Sequence, residues 1–508
     1  MPREIELKLA LAPGDAAALR ASPALAAAKP SEEDLLAIYF DTPRRELAQA
    51  HMALRLRRHG KSWVQTLKAG RSGAGGVHDR SEWEFERPGP SIDLSLFAET
   101  PLASLPDAAG LHERLAEVFR VETRRTTWRL EPVAGTRLEA VLDQGRVAAK
   151  GRTEEISEVE VEALEGDPAA AFDLVARLLE TVTLRPSAVT KAERGYRLAQ
   201  RRRWAPAKAG DVALDAGLTL PAAARAVVSA GLEQLQANET GLIETADPEF
   251  VHQARVALRR MRSALRIFRE AIGPERAQAW LDQLGELGTA LGVARDWDVL
   301  ATQTLPPALA AFGDEKVRRQ VAGRAARRRR RERELAREAI RSRRYAAVVL
   351  DLSRWIALEE PIAPATEAES LPGFAARVVR KRHKRLIADA AHLESLGPAE
   401  RHKVRIDAKR LRYGVDALAS LFPAKRVERY LEALAGLQDA LGHGNDAVAA
   451  GRLMAELDPP EPLAAFARGW FAAKAAGDPM VYRVLLDGLE RAPRFWRRAK
   501  TRSANTGS

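Results

Sequence analysis

Near the start of the chain Glu4, Glu6 and Lys8 alternate with Ile5, Leu7 and Leu9. On a β-strand this period of two puts both carboxylates and the ammonium on one face and the aliphatic side chains on the other. Hard carboxylate oxygens hold a divalent cation and an adjacent ammonium holds phosphate oxygens, so the trio suits a metal–phosphate complex. The same spacing also describes the solvated face of an edge strand, and other segments decide between the two. Arg55 and Arg57 alternate with Leu54 and Leu56; Arg80, Glu82, Glu84 and Glu86 alternate with Trp83 and Phe85. Arg125 and Arg129 alternate with Trp128, and Glu158, Glu160 and Glu162 with Val159 and Val161. A solvated sheet face ordinarily mixes in Thr, Ser and Gln. Here acids and arginines dominate strand after strand, which favours a face turned towards a charged ligand.

The elements that would position these groups follow from the same periodicity. Strands are expected at 35–41, 52–58, 61–68, 80–86, 124–131, 137–150 and 155–164, eight with the first, and helices near 14–20, 111–119 and 169–180. Short connections such as Arg58-His59-Gly60-Lys61 make hairpins and hence a largely antiparallel sheet. Closing eight strands removes the edges and leaves room inside for one small ligand. The expectation is a barrel with its charges inward and its apolar face covered by the helices. Parity groups Lys68 with Val64 and Thr66, away from Gln65, so bringing it inward calls for a bulge. His51, His59, His78 and His112 show no metal-ligand spacing.

These residues also carry a resemblance. Glu4-Ile5-Glu6-Leu7-Lys8, Tyr39-Phe40-Asp41-Thr42-Pro43, Leu54-Arg55-Leu56-Arg57, Thr66-Leu67-Lys68, Leu142-Asp143-Gln144-Gly145, Ile156-Ser157-Glu158-Val159-Glu160-Val161-Glu162 and Lys191-Ala192-Glu193-Arg194-Gly195-Tyr196 occur in this order. Over about residues 1–200 the chain resembles the CYTH family, the triphosphate tunnel metalloenzymes, whose fold is an eight-stranded antiparallel tunnel. The resemblance implies that Glu4, Glu6, Glu158 and Glu160 bind one or two Mg²⁺ or Mn²⁺ ions, with Asp143 and Glu162 as further ligands. Glu4 and Glu6 would be the catalytic pair. Lys8, Arg55, Arg57, Lys68, Arg80, Arg125 and Lys191 would grip the triphosphate, as a polyanion inside a narrow barrel requires.

Length and charge frame the rest. The chain has 508 residues, no cysteine and a net charge of +12, which excludes disulfides and thiolate chemistry and points to two or three domains. Residues 1–200 hold 28 Lys and Arg against 31 Asp and Glu, a charge of −3; the remainder holds 53 against 38, or +15. A field of that sign attracts a polyanion. The start runs directly into a charged strand without an apolar signal core, and no apolar run is long enough to span a bilayer, so a cytoplasmic protein is expected.

Residues 201–218 read as a linker, after which the strand patterns give way to helical ones. His252, Arg255, Arg259, Arg260 and Arg262 match His402, Arg405, Lys409, Arg410 and Arg412 at an offset of 150. The offset also aligns Leu284, Leu287, Leu291, Gly292 and Asp296 with Leu434, Leu437, Leu441, Gly442 and Asp446. Two homologous halves, about 219–350 and 370–500, are the simplest account. Val251, Ala254, Leu258, Met261, Leu265 and Phe268 form an apolar seam. Beside it His252, Arg255, Arg259, Arg262, Arg266 and Arg269 form a basic ridge roughly 26 Å long. The paired helices resemble the CHAD family over about 219–500. The resemblance implies an all-helical domain that binds inorganic polyphosphate, with His252, Arg255, Arg259, Arg262, His402, Arg405, Lys409 and Arg412 lining the groove. The arginine-rich stretch 324–344 reads as a solvated helix or hairpin, Lys381-Arg382-His383-Lys384-Arg385 as an extension of the anion surface, and 501–508 as a disordered tail.

The expected fold class is therefore multidomain: an N-terminal α+β antiparallel tunnel and a C-terminal all-α bundle with an internal two-fold repeat. The expected function is metal-dependent hydrolysis of inorganic triphosphate to phosphate and diphosphate, with polyphosphate held on the helical part. The alternatives are a tunnel enzyme acting on thiamine triphosphate or a nucleoside triphosphate, and a non-enzymatic polyphosphate-binding protein. Nucleic acid is not favoured, because the basic ridges lack interleaved stacking aromatics. No membrane partner is expected, and the oligomeric state is left open.

Overall fold

A computed structural model describes residues 6–60, 62–70, 74–78, 81–358 and 369–497. Glu4, Arg80 and the tail 501–508 lie outside the described residues. The chain forms two compact units. The first takes the residues up to Ala205 together with the helix Arg343–Leu358; the second takes the remainder from Pro206.

In the first unit the strands are β1 (Glu6–Leu11), β2 (Ser31–Asp41), β3 (Met52–His59), β4 (Ser62–Ala69), β5 (Val77–His78), β6 (Ser81–Arg87), β7 (Ala116–Val133), β8 (Thr136–Ala149), β9 (Arg152–Glu165) and β10 (Leu184–Pro186). They form one antiparallel sheet in the order β10-β1-β9-β8-β7-β2-β3-β4-β6, with β5 paired to β1. Among the described residues the sheet holds ten strands, nine on this path and β5 beside it, where eight are expected. The additions, β10 and β5, are too short to show any period. No ladder joins β1 directly to β6 among the described residues; instead β5 pairs with Glu6 and Leu7 and lies three residues ahead of β6. Residues of β1 and of β6 line one cavity, so the sheet curls on itself.

The expected helix 111–119 is a single turn, Leu111–Arg114, and β7 begins at Ala116. Leu111, Leu115 and Val118 have helical spacing, but the ladder of β7 with β2 satisfies the backbone from Ala116 onward and overrides that local signal.

The convex face of the sheet is apolar. Leu7, Leu9, Leu142, Val159 and Val161 bury against Phe172, Leu174, Val175 and Leu178 of the helix Ala169–Thr181, each contributing about 1.5–3 kcal/mol. The helix Arg343–Leu358 adds Ala346 and Leu350 to this core, and its Arg354 reaches Asp173 at 2.5 Å. At one end of the concave face, Tyr39, Phe119, Val121, Val147 and Ile156 pack on Leu198 and Ala199 of the helix Lys191–Ala199. Two motif glycines permit these approaches. A Cβ at Gly195 would lie 2.2 Å from the Phe119 ring, and one at Gly145 would lie 1.9 Å from the Glu122 carbonyl oxygen across the β7–β8 ladder. Gly145→Ala is therefore expected to cost at least about 1–3 kcal/mol, the range for overpacking. An unchanged urea midpoint would contradict that.

The second unit is all-helical. Its entry segment lies along its own helices: Ala207 exchanges hydrogen bonds with Asn238 at 3.0 and 2.9 Å, and the amide of buried Leu214 donates to Ser420 Oγ at 2.9 Å. Leu220–Glu244, Pro248–Ile267 and Pro274–Val299 form one half, and Leu371–Asp389, Pro398–Leu418 and Ala424–Ala455 the other. The two repeated helices, Pro248–Ile267 and Pro398–Leu418, pack against each other. Their apolar seams are buried as their spacing requires, from Val251 to Leu265 and from Val404 to Leu418.

The arginine-rich stretch lies largely in the helix Glu315–Arg341. Arg328 pairs with Glu332 at 3.0 Å, as the four-residue spacing allows. The helix is not simply solvated, however. Arg329 and Arg333 reach fully buried Asp298 at 2.6 and 2.8 Å, which gives a polar side chain inside the bundle the partners that burial demands.

Candidate functional site

The concave face of the sheet encloses a cavity of about 560 Å³. Register explains its lining. Lys8 stands opposite Glu160 and Glu6 opposite Glu162 on β1 and β9; Asp143 on β8 stands opposite Glu158 on β9 and Arg125 on β7. Cross-strand partners share a face, so all these groups point inward. Glu6, Lys8, Arg55, Arg57, Lys68, Arg125, Asp143, Glu160, Glu162 and Lys191 line the cavity, and Glu158 sits just behind, buried against both lysines. Lys68 needs no bulge. The ladder pairs Thr66 with Arg55 and Lys68 with Ala53, which places it on the inner face directly.

Around the carboxylates the cations are tightly engaged. Lys8 contacts Glu160 and lies 3.2 Å from Glu158 and 3.4 Å from Glu6. Lys191 lies 2.6 Å from both Asp143 and Glu158 and 2.9 Å from Glu160. Arg125 grips Asp143 with two hydrogen bonds of 2.9 and 2.6 Å. Burial alone would lower both ammonium groups, but the surrounding carboxylates overcome it and hold Lys8 and Lys191 above the ordinary lysine range. Burial pushes Asp143 and Glu160 the other way, and their cations outweigh it, keeping Asp143 below and Glu160 well below the usual carboxylate range.

The opposite wall carries a second ion-paired group. Lys68 lies 2.6 Å from Glu82, Arg55 lies 3.4 Å from Glu82 and 3.6 Å from Glu84, and Arg57 lies 3.5 Å from Glu84. Glu82 and Glu84 were visible in sequence as an alternating face but not as site residues. Their opposition to the arginines depends on β4 and β6 being neighbours, which periodicity does not show.

Among the described residues, seven carboxylates and six cations line the cavity. A phosphate polyanion entering alone would leave a large excess of negative charge, which a cation arriving with it would offset. Asp143, Glu158 and Glu160 each offer an oxygen within 4.8 Å of the others. An all-oxygen donor set of this kind suits a hard divalent ion, so the residues fit the metal that the fold implies.

Other motif residues hold the site in place. Buried Asp41 accepts from the amides of Thr42, Leu47 and Ala48 at 2.7, 3.0 and 3.1 Å and so fixes the turn after β2. Thr190 and Glu193 form a reciprocal capping box that starts the helix Lys191–Ala199 with Lys191 in the cavity.

In the second unit the basic ridges of the two repeated helices converge. Burial and the nearby Arg259 and Arg405 push Lys409 down to about 7, and burial with Arg259 pushes Arg255 down to about 10. His402 Nδ1 and Asn445 Oδ1 are 2.6 Å apart, and Arg405 lies 3.9 Å from Asp446. His252 is depressed by burial and by Arg295. Arg262 is half-buried with its Nε unpaired, whereas Arg412 pairs with Asp416 at 3.6 Å.

A sheet curled around an ion-paired cavity, joined to a helical unit built on two repeated basic helices, defines a two-domain class of protein. The chain belongs to the CYTH domain family over residues 2–196 and to the CHAD domain family over residues 226–455. It is 30% identical over 208 residues to an inorganic triphosphatase of Haemophilus influenzae, a match spanning 40% of this chain and 56% of that relative. It is also 30% identical over 408 residues to an uncharacterised protein of Mycobacterium tuberculosis, covering 75% of each. The crystal structure of the CHAD domain from the plant Ricinus communis is similar at 36% identity and a TM-score of 0.51, covering 57% of this chain and 99% of that one. No helix among the described residues is long and apolar enough to cross a membrane.

Proposed function

We propose that the chain is a metal-dependent triphosphatase that hydrolyses inorganic triphosphate to phosphate and diphosphate in the cavity, and that its helical unit holds inorganic polyphosphate. A cytoplasmic setting goes with this reading. The observation that carries it is the cavity, where an oxygen-donor trio faces walls of fixed cations in nearly balanced charge. The relative named as an inorganic triphosphatase supports the choice of substrate.

Phosphoryl transfer is mainly positioning and charge neutralisation. Arg55, Arg57 and Lys68 hold the phosphate chain by exchanging their bonds to Glu82 and Glu84 for bonds to phosphate oxygens. Lys8, Lys191 and Arg125 remain cationic throughout and stabilise negative charge at the reacting end. Asp143, Glu158 and Glu160 with Glu6, and with Glu4 and Glu162 by resemblance, would hold Mg²⁺ or Mn²⁺. Such an ion, when bound, neutralises phosphate charge and lowers the pKa of a bound water. Held ionised by their neighbours, Asp143 and Glu160 are weak proton acceptors and act as oxygen donors.

Phosphate release from inorganic triphosphate, ATP and thiamine triphosphate, with and without Mg²⁺ or Mn²⁺, tests the reading. Release that needs the metal and is fastest on inorganic triphosphate is expected. Faster release from either organic substrate would change the substrate, and no release from any would leave a binding protein.

A further inference from the structure

The seam between the helices Pro248–Ile267 and Pro398–Leu418 does not end alike on its two sides. The repeat makes Arg260 equivalent to Arg410, Arg262 to Arg412, and Arg266 to Asp416. At one end Arg412 lies 3.6 Å from Asp416, and Arg260 donates to the Gly210 carbonyl at 3.3 Å. The segment carrying Gly210 is itself anchored, through the Leu214 amide, to Ser420. This end is therefore neutralised and covered.

At the other end an arginine, Arg266, replaces the aspartate. A further arginine enters from the helix Leu371–Asp389: Arg382 stands where buried Leu232 occupies the equivalent position in the first half. Arg382 donates to Ser263 Oγ at 3.2 Å and to the Arg410 carbonyl. It passes beside Gly414, where a Cβ would lie 2.6 Å from its guanidinium nitrogen. Asp407 is shared by Arg410 at 3.2 Å and Arg385 at 3.4 Å. Arg266 donates to the Arg262 carbonyl at 3.2 Å, Asp282 acts on Arg262, and among the described residues no carboxylate acts on Arg266 or Arg382. Burial, Arg410 and Arg266 hold Arg382 down to about 10, and burial with Arg262 and Arg410 lowers Arg266.

Four like charges gathered together, with Asp407 beside Arg410 and Asp282 acting on Arg262 as the opposing carboxylates, keep an excess of positive charge that is costly where partly buried unless an anion joins them. The chain removes that cost at one end of a repeated seam and keeps it at the other. Building on the polyphosphate reading above, we propose that the cluster of Arg262, Arg266, Arg382 and Arg410 receives one end of a linear inorganic polyphosphate. The polyanion then lies on the seam in a single direction, from the Arg255, Arg259, Arg405 and Lys409 centre outward past Arg262. It does not continue towards Asp416, and Arg412 makes no contact with it despite its place in the repeat.

The experiment is titration of the full chain with long-chain inorganic polyphosphate over a range of salt concentrations, comparing the unmodified protein with Arg266→Gln/Arg410→Gln and with Arg260→Gln. Arg266 and Arg410 are exposed, so the double variant retains its fold, which its thermal melt verifies. It is expected to bind at least about tenfold more weakly, with the dependence of log K on log salt reduced by about one to two, as lost phosphate contacts require. Arg260→Gln, at the equivalent position of the covered end, is expected to bind within about twofold of the unmodified chain by the same reasoning. Equal losses in the two variants, or no loss in the double variant, would overturn the directional cluster while leaving polyphosphate binding intact. An unmodified chain that binds no polyphosphate would overturn the underlying reading as well.

Discussion

Replacing Glu160 by glutamine is expected to lower turnover of inorganic triphosphate by about 10²–10³-fold, the loss seen when one preorganised charge-stabilising group is removed from an active site. Glu160 is the most connected carboxylate of the cavity. It belongs to the oxygen trio with Asp143 and Glu158, and it touches Lys8, Lys191 and Arg125. The amide keeps the volume and removes the charge, so it weakens the donor set and leaves three cations short of a partner. Part of the loss is expected to be recovered at high metal concentration, because a weakened oxygen site still fills by mass action. Activity unchanged within threefold, in a protein whose melt is normal, would remove Glu160 from the chemistry. A broad loss of structure would instead assign it to holding the sheet together.

The second large effect is on pH. Lys409 sits among Arg259, Arg405 and Arg255, with Asp446 as its opposing charge, and burial with these cations brings it down to about 7. A bound polyanion favours the protonated form and raises its pKa, so above about pH 7 binding takes up a proton. Affinity for polyphosphate is then expected to fall by up to about tenfold per pH unit above 7, until the pKa of the bound state is reached. Between pH 6 and 9 the total is about 10–100-fold. In the free protein the sign is opposite. The unfolded chain, with Lys409 near its usual 10.5, binds more protons than the folded one between about 7 and 10.5, so stability rises with pH through that window. Titration with polyphosphate at constant ionic strength measures the first effect, with Lys409→Gln flattening the profile and Lys409→Arg holding affinity high at every pH. A profile as steep in Lys409→Gln as in the unmodified chain would place the titrating group elsewhere.

Much of the cavity could be read from sequence because a strand's period of two assigns faces without knowledge of the fold. Glu158, Glu160 and Glu162 on one strand and Arg55 and Arg57 on another needed only alternation. What alternation lacks is the order of strands. Glu82 and Glu84 were seen as a charged face, yet their role beside Arg55, Arg57 and Lys68 appears only when β4 and β6 are adjacent. Parity alone calls for a bulge at Lys68 for the same reason, since the face it shares is set by its register with β3. In the helical unit the repeat arithmetic finds the paired ridges, and it puts Arg262 and Arg412 in the groove alike while leaving Arg260 and Arg410 out of it. The mismatch of Arg266 with Asp416 stood in the same alignment, but its meaning required knowing that both residues end the same seam. The sequence puts residues up to about 350 in the first helical half, because the apolar stripe of the helix Arg343–Leu358 does not name the core it will join.

That last helix makes the first unit discontinuous along the chain. Its core draws Ala346 and Leu350 from a segment encoded well over a hundred residues after Ala205. A gene fragment that stops near residue 200 would encode every strand and yet leave β10 and the helix Ala169–Thr181 without their cover. Such a fragment is a poor unit of inheritance. A transplant that keeps the sheet's core complete would carry the later helix with it, so the coding sequence of the first unit brackets a large part of the second.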